Sequence, residues 1–135
     1  MYRSETQIRV RYGETDQMGY VYYGNYGMYY EVARVESLRQ LGLTYRELEE
    51  MGVIMPVVEN WSKYISAAKY DDLLTIVTTL REKPGVRIKF EYEIFNEEKK
   101  LIHQGETMLV FIDKNTNRPR RPPEAMVRLL RRFFE

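Results

Sequence analysis

The chain has 135 residues, and its 21 lysines and arginines nearly balance its 20 aspartates and glutamates. This length fits one domain, and the near-neutral charge gives no general attraction to nucleic acid or to an anionic membrane. The absence of cysteine and the single histidine exclude a disulfide framework, a thiolate nucleophile and a histidine-rich metal centre. The N-terminal residues lack the apolar core of a signal peptide, and no stretch approaches the roughly 20 apolar residues that cross a bilayer, so we expect a cytoplasmic protein without an integral membrane segment.

The first elements are a strand, a loop and a long helix. Residues 7–12 (QIRVRY) alternate apolar and basic side chains, which predicts a strand with one buried face. The following segment, GETDQMGYVYYGN, contains three glycines and is predicted to be a loop. From Asn25 the spacing of apolar and small residues predicts a helix of about 17 residues, about 25 Å long, that ends at Gly42. Asn25 is its predicted N-cap, and Ala33 is expected to let the helix backbone approach a sheet.

The rest of the chain reads as one short helix, a series of strands and a final helix. Thr44 and Glu47 fit a capping box for a helix that ends near Gly52. Strands are predicted at 53–66, 73–82, 86–95 and about 100–112. Pro122 and Pro123 suit the first turn of a last helix, whose packing face would consist of Met126, Leu129, Leu130 and Phe133. This order predicts an α+β fold over residues 1–135, with four consecutive antiparallel strands and the sheet wrapped on the long helix.

The loop before the long helix carries the best candidate chemistry. The phosphate-loop, dinucleotide, nucleophile-elbow and zinc-peptidase motifs are all absent from the sequence. The loop instead places Glu14 and Asp16 a few residues before the helix start, where unpaired N–H groups and the positive dipole end can polarise a carbonyl oxygen. A carboxylate at this position can attack that carbonyl or deprotonate a water molecule.

The same loop carries a resemblance to a known family. The run RYGETDQMGYVYYGNY, followed by YEVARVE and Leu38, closely resembles the 4-hydroxybenzoyl-CoA thioesterase family, especially its bacterial acyl-CoA thioesterase branch. The segment YISAAKYDD and the run FIDK, with Arg118 and Pro119, extend the likeness over essentially the whole chain. The resemblance implies a hotdog fold, an antiparallel sheet around one long central helix, and hydrolysis of acyl-CoA to a free acid and CoA without metal or organic cofactor.

Site roles follow from the same resemblance. It makes Asp16 the catalytic nucleophile or general base, the Tyr23 backbone N–H the donor to the thioester carbonyl, and Tyr12 a residue lining the site. Gly24 and Asn25, at the helix start, are expected to contact the substrate. Many relatives have histidine where this chain has Tyr23, so no role of that imidazole carries over. The resemblance also implies a homodimer or homotetramer with the site between subunits.

Coenzyme A carries a diphosphate and a ribose phosphate, so basic residues are expected near the mouth of the cleft. The candidates are Lys63, Lys69, Arg118, Arg120 and Arg121. The exit segment that contains the three arginines is the strongest candidate among them.

Three further residues, Glu31, Glu36 and His103, have side chains that could act in catalysis. Glu31 and Glu36 lie on the long helix, where i,i+3 ion pairs with Arg34 and Arg39 are expected instead of catalysis. His103 is expected to be structural or partly exposed. The alternatives that stay open are hydrolysis of acyl-carrier-protein thioesters and a non-catalytic acyl-CoA-binding hotdog protein, whereas a hydratase is less favoured because it would need a histidine on the helix.

Overall fold

The computed structural model describes residues 1–135 as a five-stranded antiparallel sheet packed on one long helix. The strands are β1 (Tyr2–Arg9), β2 (Val53–Ile54), β3 (Val57–Tyr64), β4 (Leu73–Leu80), β5 (Arg87–Phe95), β6 (Leu101–Val110) and β7 (Ile112–Asp113). The helices are α1 (Tyr26–Leu41), α2 (Tyr45–Glu50) and α3 (Glu124–Leu130), with short 3₁₀ turns at Tyr12–Glu14, Tyr23–Asn25 and Arg131–Phe133. The α+β class and the sheet on one long helix are as predicted.

The order of strands across the sheet is β1, β4, β5, β6 and β3. The expectation of four consecutive antiparallel strands is therefore wrong in one respect, because β3 pairs with β6 and not with β4. Strict alternation turns every second side chain of β5 toward α1, so that Ile88, Phe90, Tyr92 and Ile94 are buried. The sheet and α1 share one core cluster of 25 buried apolar residues.

The first strand differs from its predicted bounds. It spans Tyr2–Arg9 and not 7–12, because the backbone leaves the ladder after Arg9. The N–H of Val10 donates to the carbonyl of Asp72, and the chain then turns at Tyr12–Glu14. Tyr12 consequently lies outside the strand with its side chain exposed.

The long helix begins at Tyr26, directly after its predicted N-cap. Asn25 occupies the cap position, but its side chain makes no capping hydrogen bond and its Nδ2 donates to the carbonyl of Glu14 instead. The predicted N-cap position of Asn25 is therefore confirmed, although its side chain bonds to the loop and not to the helix. Gly42 ends the helix at φ 110°, a left-handed conformation that glycine adopts without strain. Ala33 is buried, as the predicted close approach to the sheet requires.

Prolines set several boundaries later in the chain. The predicted strand at 53–66 is split at Pro56, which has no N–H for a ladder, and the short strand β2 before it pairs with β7. Both Pro122 and Pro123 precede α3, so the prediction that they form its first turn is wrong. The Thr44–Glu47 capping box of α2 is confirmed. The packing face of the last helix is also confirmed, with Met126 and Leu130 buried.

No helix has the length and apolar character needed to span a lipid bilayer.

Candidate active site

Glu14 fixes the loop that enters α1. Its side chain is almost fully buried, and its Oε1 accepts hydrogen bonds from the backbone N–H of Arg11 and from the hydroxyl of Tyr29, both at 2.9 Å. The Arg11 guanidinium pairs with Oε2 at 2.9 Å. The Glu14 carbonyl accepts from the N–H of Tyr22 and from Asn25 Nδ2, both at 2.9 Å. One residue therefore ties both ends of the loop to the first turn of the helix.

These contacts also keep the Glu14 carboxyl ionised. Burial alone would raise the pKa of Glu14, but the hydrogen bonds from Arg11 and Tyr29, together with the Arg11 charge, hold that pKa below its usual value of 4.5. Burial and the Glu14 carboxylate raise the pKa of Tyr29, so its hydroxyl keeps its proton and remains a donor. Glu14 is therefore a buried anion whose two carboxylate oxygens are both occupied by protein donors.

Asp16 lies in a tight turn within this loop. Its Oδ1 accepts hydrogen bonds from the backbone N–H groups of Met18 at 2.9 Å and Tyr20 at 3.2 Å. The Asp16 N–H donates to the Tyr20 carbonyl at 2.8 Å, and Gly19, with φ 81°, closes the turn by donating to the Asp16 carbonyl. No protein group donates to Oδ2. The turn thus holds one carboxylate oxygen and leaves the other available for chemistry.

Two backbone donors follow at the start of the helix. The N–H groups of Tyr23 and Gly24 open the 3₁₀ turn that leads into α1, and neither donates to an acceptor in the protein. The first internal bond of this turn runs from the Asn25 N–H to the Tyr22 carbonyl at 2.9 Å. Free N–H groups at a helix start lie at the positive end of the helix dipole and favour a developing negative charge.

An apolar cleft of about 290 Å³ is lined by Asp16 and Tyr23, but not by the predicted substrate-binding residues Gly24 and Asn25. Two of the residues that line the cleft, Asp16 and Ser66, are polar. The other eight are aliphatic or aromatic: Met18, Tyr20, Val21, Tyr23, Tyr26, Tyr64, Ile65 and Ala67. Tyr26 and Tyr64 meet edge to face with their ring centroids 5.5 Å apart. Sequence reasoning missed Tyr20, Tyr26 and Tyr64 as cleft residues, although the high tyrosine content was a signal for such a wall.

Two other predicted site residues lie near the loop but outside the cleft. Tyr12 is 78% exposed, and its ring packs edge-on against Tyr70 at 5.8 Å. Within one protomer it does not line the cleft. The backbone of Lys69 forms a single antiparallel β-bridge with that of Tyr20, which lines the cleft. The Lys69 side chain is exposed, so it lies near the rim of the cleft.

The remaining basic candidates lie elsewhere in the protomer. Lys63 is opposite Gln104 on the β3–β6 ladder, on the sheet face away from α1. Arg118 and Arg120 follow β7, where the Arg120 N–H donates to the Phe111 carbonyl. They thus lie at the end of β6 that is far from the cleft. The seven strand residues between the two ends span about 23 Å. One protomer does not bring these three residues together with Asp16.

The two glutamates of α1 behave differently from each other. Glu36 forms the expected ion pair with Arg39. The expected pair between Glu31 and Arg34 is absent, because Arg34 is buried beside Tyr45 and Tyr92 while Glu31 is exposed. No three histidine, aspartate or glutamate side chains converge as metal ligands would.

A five-stranded antiparallel sheet packed on one long helix is the hotdog fold, and thioesterases of this fold are among the structures that this chain resembles. A family model, the thioesterase-like superfamily, matches residues 10–130. The chain belongs to that superfamily.

Individual relatives agree with the family match. The acyl-CoA thioester hydrolase YbgC of Escherichia coli is 32% identical over 120 residues, which cover 89% of this chain and 90% of that protein. The crystal structure of a DHNA-CoA thioesterase from Staphylococcus aureus superimposes with a TM-score of 0.86 at 36% identity, over 99% of this chain and 85% of that one. An Asp-to-Asn mutant of 4-hydroxybenzoyl-CoA thioesterase, complexed with 4-hydroxybenzoyl-CoA, has the same fold with a TM-score of 0.83 at 22% identity, over 96% of this chain and 99% of that one.

Proposed function

We propose that this protein hydrolyses acyl-CoA thioesters to a free carboxylic acid and CoA, with Asp16 as its catalytic carboxylate. The observation that carries the proposal is that Asp16, whose Oδ2 has no protein donor, lines the apolar cleft together with Tyr23, whose backbone N–H is also free. The curated relatives with acyl-CoA thioester hydrolase activity in their names support the substrate class.

The proposed reaction uses two groups of one short segment. The N–H groups of Tyr23 and Gly24 bind the thioester carbonyl oxygen and stabilise its developing negative charge. Asp16 either deprotonates a water molecule that attacks the carbonyl carbon, or attacks that carbon itself to form a mixed anhydride that water then hydrolyses to the free acid. In both routes the C–S bond breaks, and CoA leaves as a thiolate that takes up a proton. Glu14 and Asn25 act as positioning residues, because they hold the loop and the helix start in a fixed relation. Tyr12 stays a predicted site residue.

The enzyme is proposed to work as a homodimer or a larger homo-oligomer. The edge strand β3 exposes large apolar side chains, among them Val58 (48%), Trp61 (50%) and Tyr64 (53%), which a second copy would cover. Antiparallel pairing of β3 with its copy would bring the Val57 end of that copy to the Tyr64 end of the first. Arg118 and Arg120 of the second copy would then approach the Asp16 cleft, where the CoA phosphates need cations.

Substitution of Asp16 by Asn tests the catalytic assignment. Asn retains a carbonyl oxygen that can accept from Met18 and Tyr20, so the turn and the melting temperature should be preserved. Turnover of several acyl-CoAs, followed by thiol release, should fall by orders of magnitude. Near wild-type kcat in a folded D16N variant would remove Asp16 from the mechanism.

The carrier of the acyl group is tested separately. Acyl-carrier-protein thioesters are the second candidate substrate, and a chloroplast acyl-acyl carrier protein thioesterase of Arabidopsis thaliana, 29% identical over 125 residues, is among the relatives. Comparison of kcat/KM for one acyl group on each carrier decides between them. Binding of acyl-CoA without thiol release would instead favour the non-catalytic alternative. The cytoplasmic location stays a prediction from the sequence.

A further inference from the structure

His103, the only histidine in the chain, is completely buried in β6. Its Nε2 shares a hydrogen bond with the hydroxyl of Tyr30, and the same hydroxyl shares a second one with Ser62 Oγ at 2.6 Å. Because these residues belong to β6, α1 and β3, the three side chains join the helix to two strands. The other imidazole nitrogen, Nδ1, has no partner, so Tyr30 alone orients the ring by hydrogen bonding.

Tyr30 itself has little freedom to move. Its ring stacks on that of Tyr92 at 4.4 Å with the planes 3° apart. It also lies directly over Gly105, where an added Cβ would collide with the ring. Burial raises the pKa of Tyr30, although the bond to Ser62 lowers it, and the hydroxyl keeps its proton at neutral pH. Tyr30 is therefore a rigid support for the imidazole.

Two rings of the cleft rest on the other surfaces of His103. Tyr26 stacks face to face on the imidazole at 3.9 Å with the planes 3° apart. Tyr64, directly opposite His103 in the β3–β6 ladder, meets it edge-on at 5.0 Å. Both tyrosines line the cleft together with Asp16. The imidazole thus lies immediately behind the cleft wall without reaching the cleft.

We propose that His103, Tyr30 and Ser62 form a positioning network that fixes the Tyr26 and Tyr64 rings and thereby sets how tightly the cleft holds the acyl group. The inference rests on the proposed function, because it requires the acyl group to occupy this cleft. The network touches no reacting atom. It therefore acts on binding of the acyl group more than on bond cleavage, and changes KM more than kcat.

The Tyr30→Phe variant tests this network with the smallest change. It removes the hydroxyl and keeps the ring on Tyr92 and Gly105. KM for acyl-CoA should rise about three- to tenfold, because the hydroxyl's hydrogen bonds to both His103 and Ser62 are lost, while kcat changes by less than about twofold. Ser62→Ala should shift KM in the same direction by a smaller factor. Thr107→Val is the matched control, because it removes a hydrogen bond of 2.8 Å to Asn60 between the same two strands, away from the cleft.

A second measurement does not depend on turnover. Since the chain has one histidine, ¹⁵N-labelled histidine gives a single imidazole spectrum. A non-hydrolysable acyl-CoA thioether should shift these signals in the wild-type protein, and its Kd should weaken in Y30F by the same factor as KM. If Y30F lowers the melting temperature but leaves KM and Kd unchanged, as T107V is expected to do, the network is only structural and the inference is wrong.

The failure of the proposed function would look different. A wild-type protein that binds the thioether but releases no thiol from any acyl-CoA would refute hydrolysis, and the Kd ratio of Y30F to wild type would still decide the role of the network. A wild-type protein that neither hydrolyses acyl-CoA nor binds the thioether would overturn both proposals.

Discussion

Tyr29, on the first turn of α1, donates a hydrogen bond of 2.9 Å to Oε1 of Glu14, on the loop before that helix. Both side chains are buried. This contact sets the distance between the segment that carries Asp16 and the helix start that carries the free N–H groups. Substitutions of Glu14 and of Tyr29 separate the contribution of this hydrogen bond to stability from its effect on kcat.

Glu14→Gln should destabilise the protein and slow the reaction. An amide presents one acceptor oxygen where the carboxylate presents two, and it loses the ion pair with Arg11. We expect a loss of about 1–3 kcal/mol in the free energy of unfolding and a lower kcat, since Asp16 becomes less well placed. Denaturant titration and thiol release measure the two effects. Tyr29→Phe removes only the single hydrogen bond, so its stability loss should be about 1 kcal/mol.

The stability and the kcat of E14Q together can contradict the proposed role of Glu14 in placing Asp16. If E14Q loses stability but keeps the wild-type kcat, the loop does not depend on Glu14 for the placement of Asp16. The pKa of Glu14 is lowered by folding, so its contribution is present at neutral pH and is lost as the pH falls below 4.5. The free energy of unfolding of E14Q should therefore lack this loss below pH 4.5.

The carbonyl-binding role of the Tyr23 N–H can be tested with proline. Proline is accommodated at the first position of a helical turn, and the extended backbone of Tyr22 (φ −62°, ψ 133°) suits the residue before it. Tyr23→Pro therefore removes an N–H that makes no bond in the protein. We expect kcat to fall by about a hundredfold or more with little change in melting temperature. Tyr23→Ala controls for the lost ring, and equal kcat in the two variants would refute this donor.

A charge on the exposed edge strand should dissociate the proposed oligomer. Trp61→Glu places a carboxylate on β3, where a second copy would cover it, so sedimentation at micromolar concentration should show a monomer with reduced activity. Gln7→Glu introduces the same charge on β1, the opposite edge of the sheet. It should leave the sedimentation profile unchanged. A monomeric wild-type protein with full activity would refute assembly through β3.

The buried imidazole predicts a loss of stability in mild acid. Burial lowers the pKa of His103 to about 4 in the folded protein, from 6.5 when unfolded. The unfolded chain therefore takes up a proton at a pH where the folded one does not. The stability contribution of the neutral ring is complete above pH 6.5 and is lost progressively toward pH 4, by about 3 kcal/mol in total.

A pH series of unfolding measurements on wild type and His103→Gln isolates this effect. The difference in the free energy of unfolding between the two proteins should shrink as the pH falls from 6.5 to 4. A constant difference over that range would mean that His103 titrates with an ordinary pKa.

The sequence by itself determined the architecture and the central catalytic candidate. Local patterns sufficed for the elements, because strict alternation defined β5 and the Thr44–Glu47 capping box defined the start of α2. Asp16 was singled out from Glu14 by the resemblance of the loop before α1 to the 4-hydroxybenzoyl-CoA thioesterase family. Such features depend on residues that are neighbours in the chain. Boundaries were less accurate where the backbone leaves a ladder for a distant partner, as Val10 does when it bonds to Asp72.

Only the tertiary structure decided which side chains surround Asp16. Tyr64 and His103 are 39 positions apart, and their contact depends on the β3–β6 pairing, which no local pattern specifies. The same pairing leaves β3 at the sheet edge and separates Lys63, Arg118 and Arg120 from the cleft of their own protomer. Long-range strand order thus fixed the walls of the site, whereas chain-local turn chemistry had already fixed the carboxylate and its backbone donors.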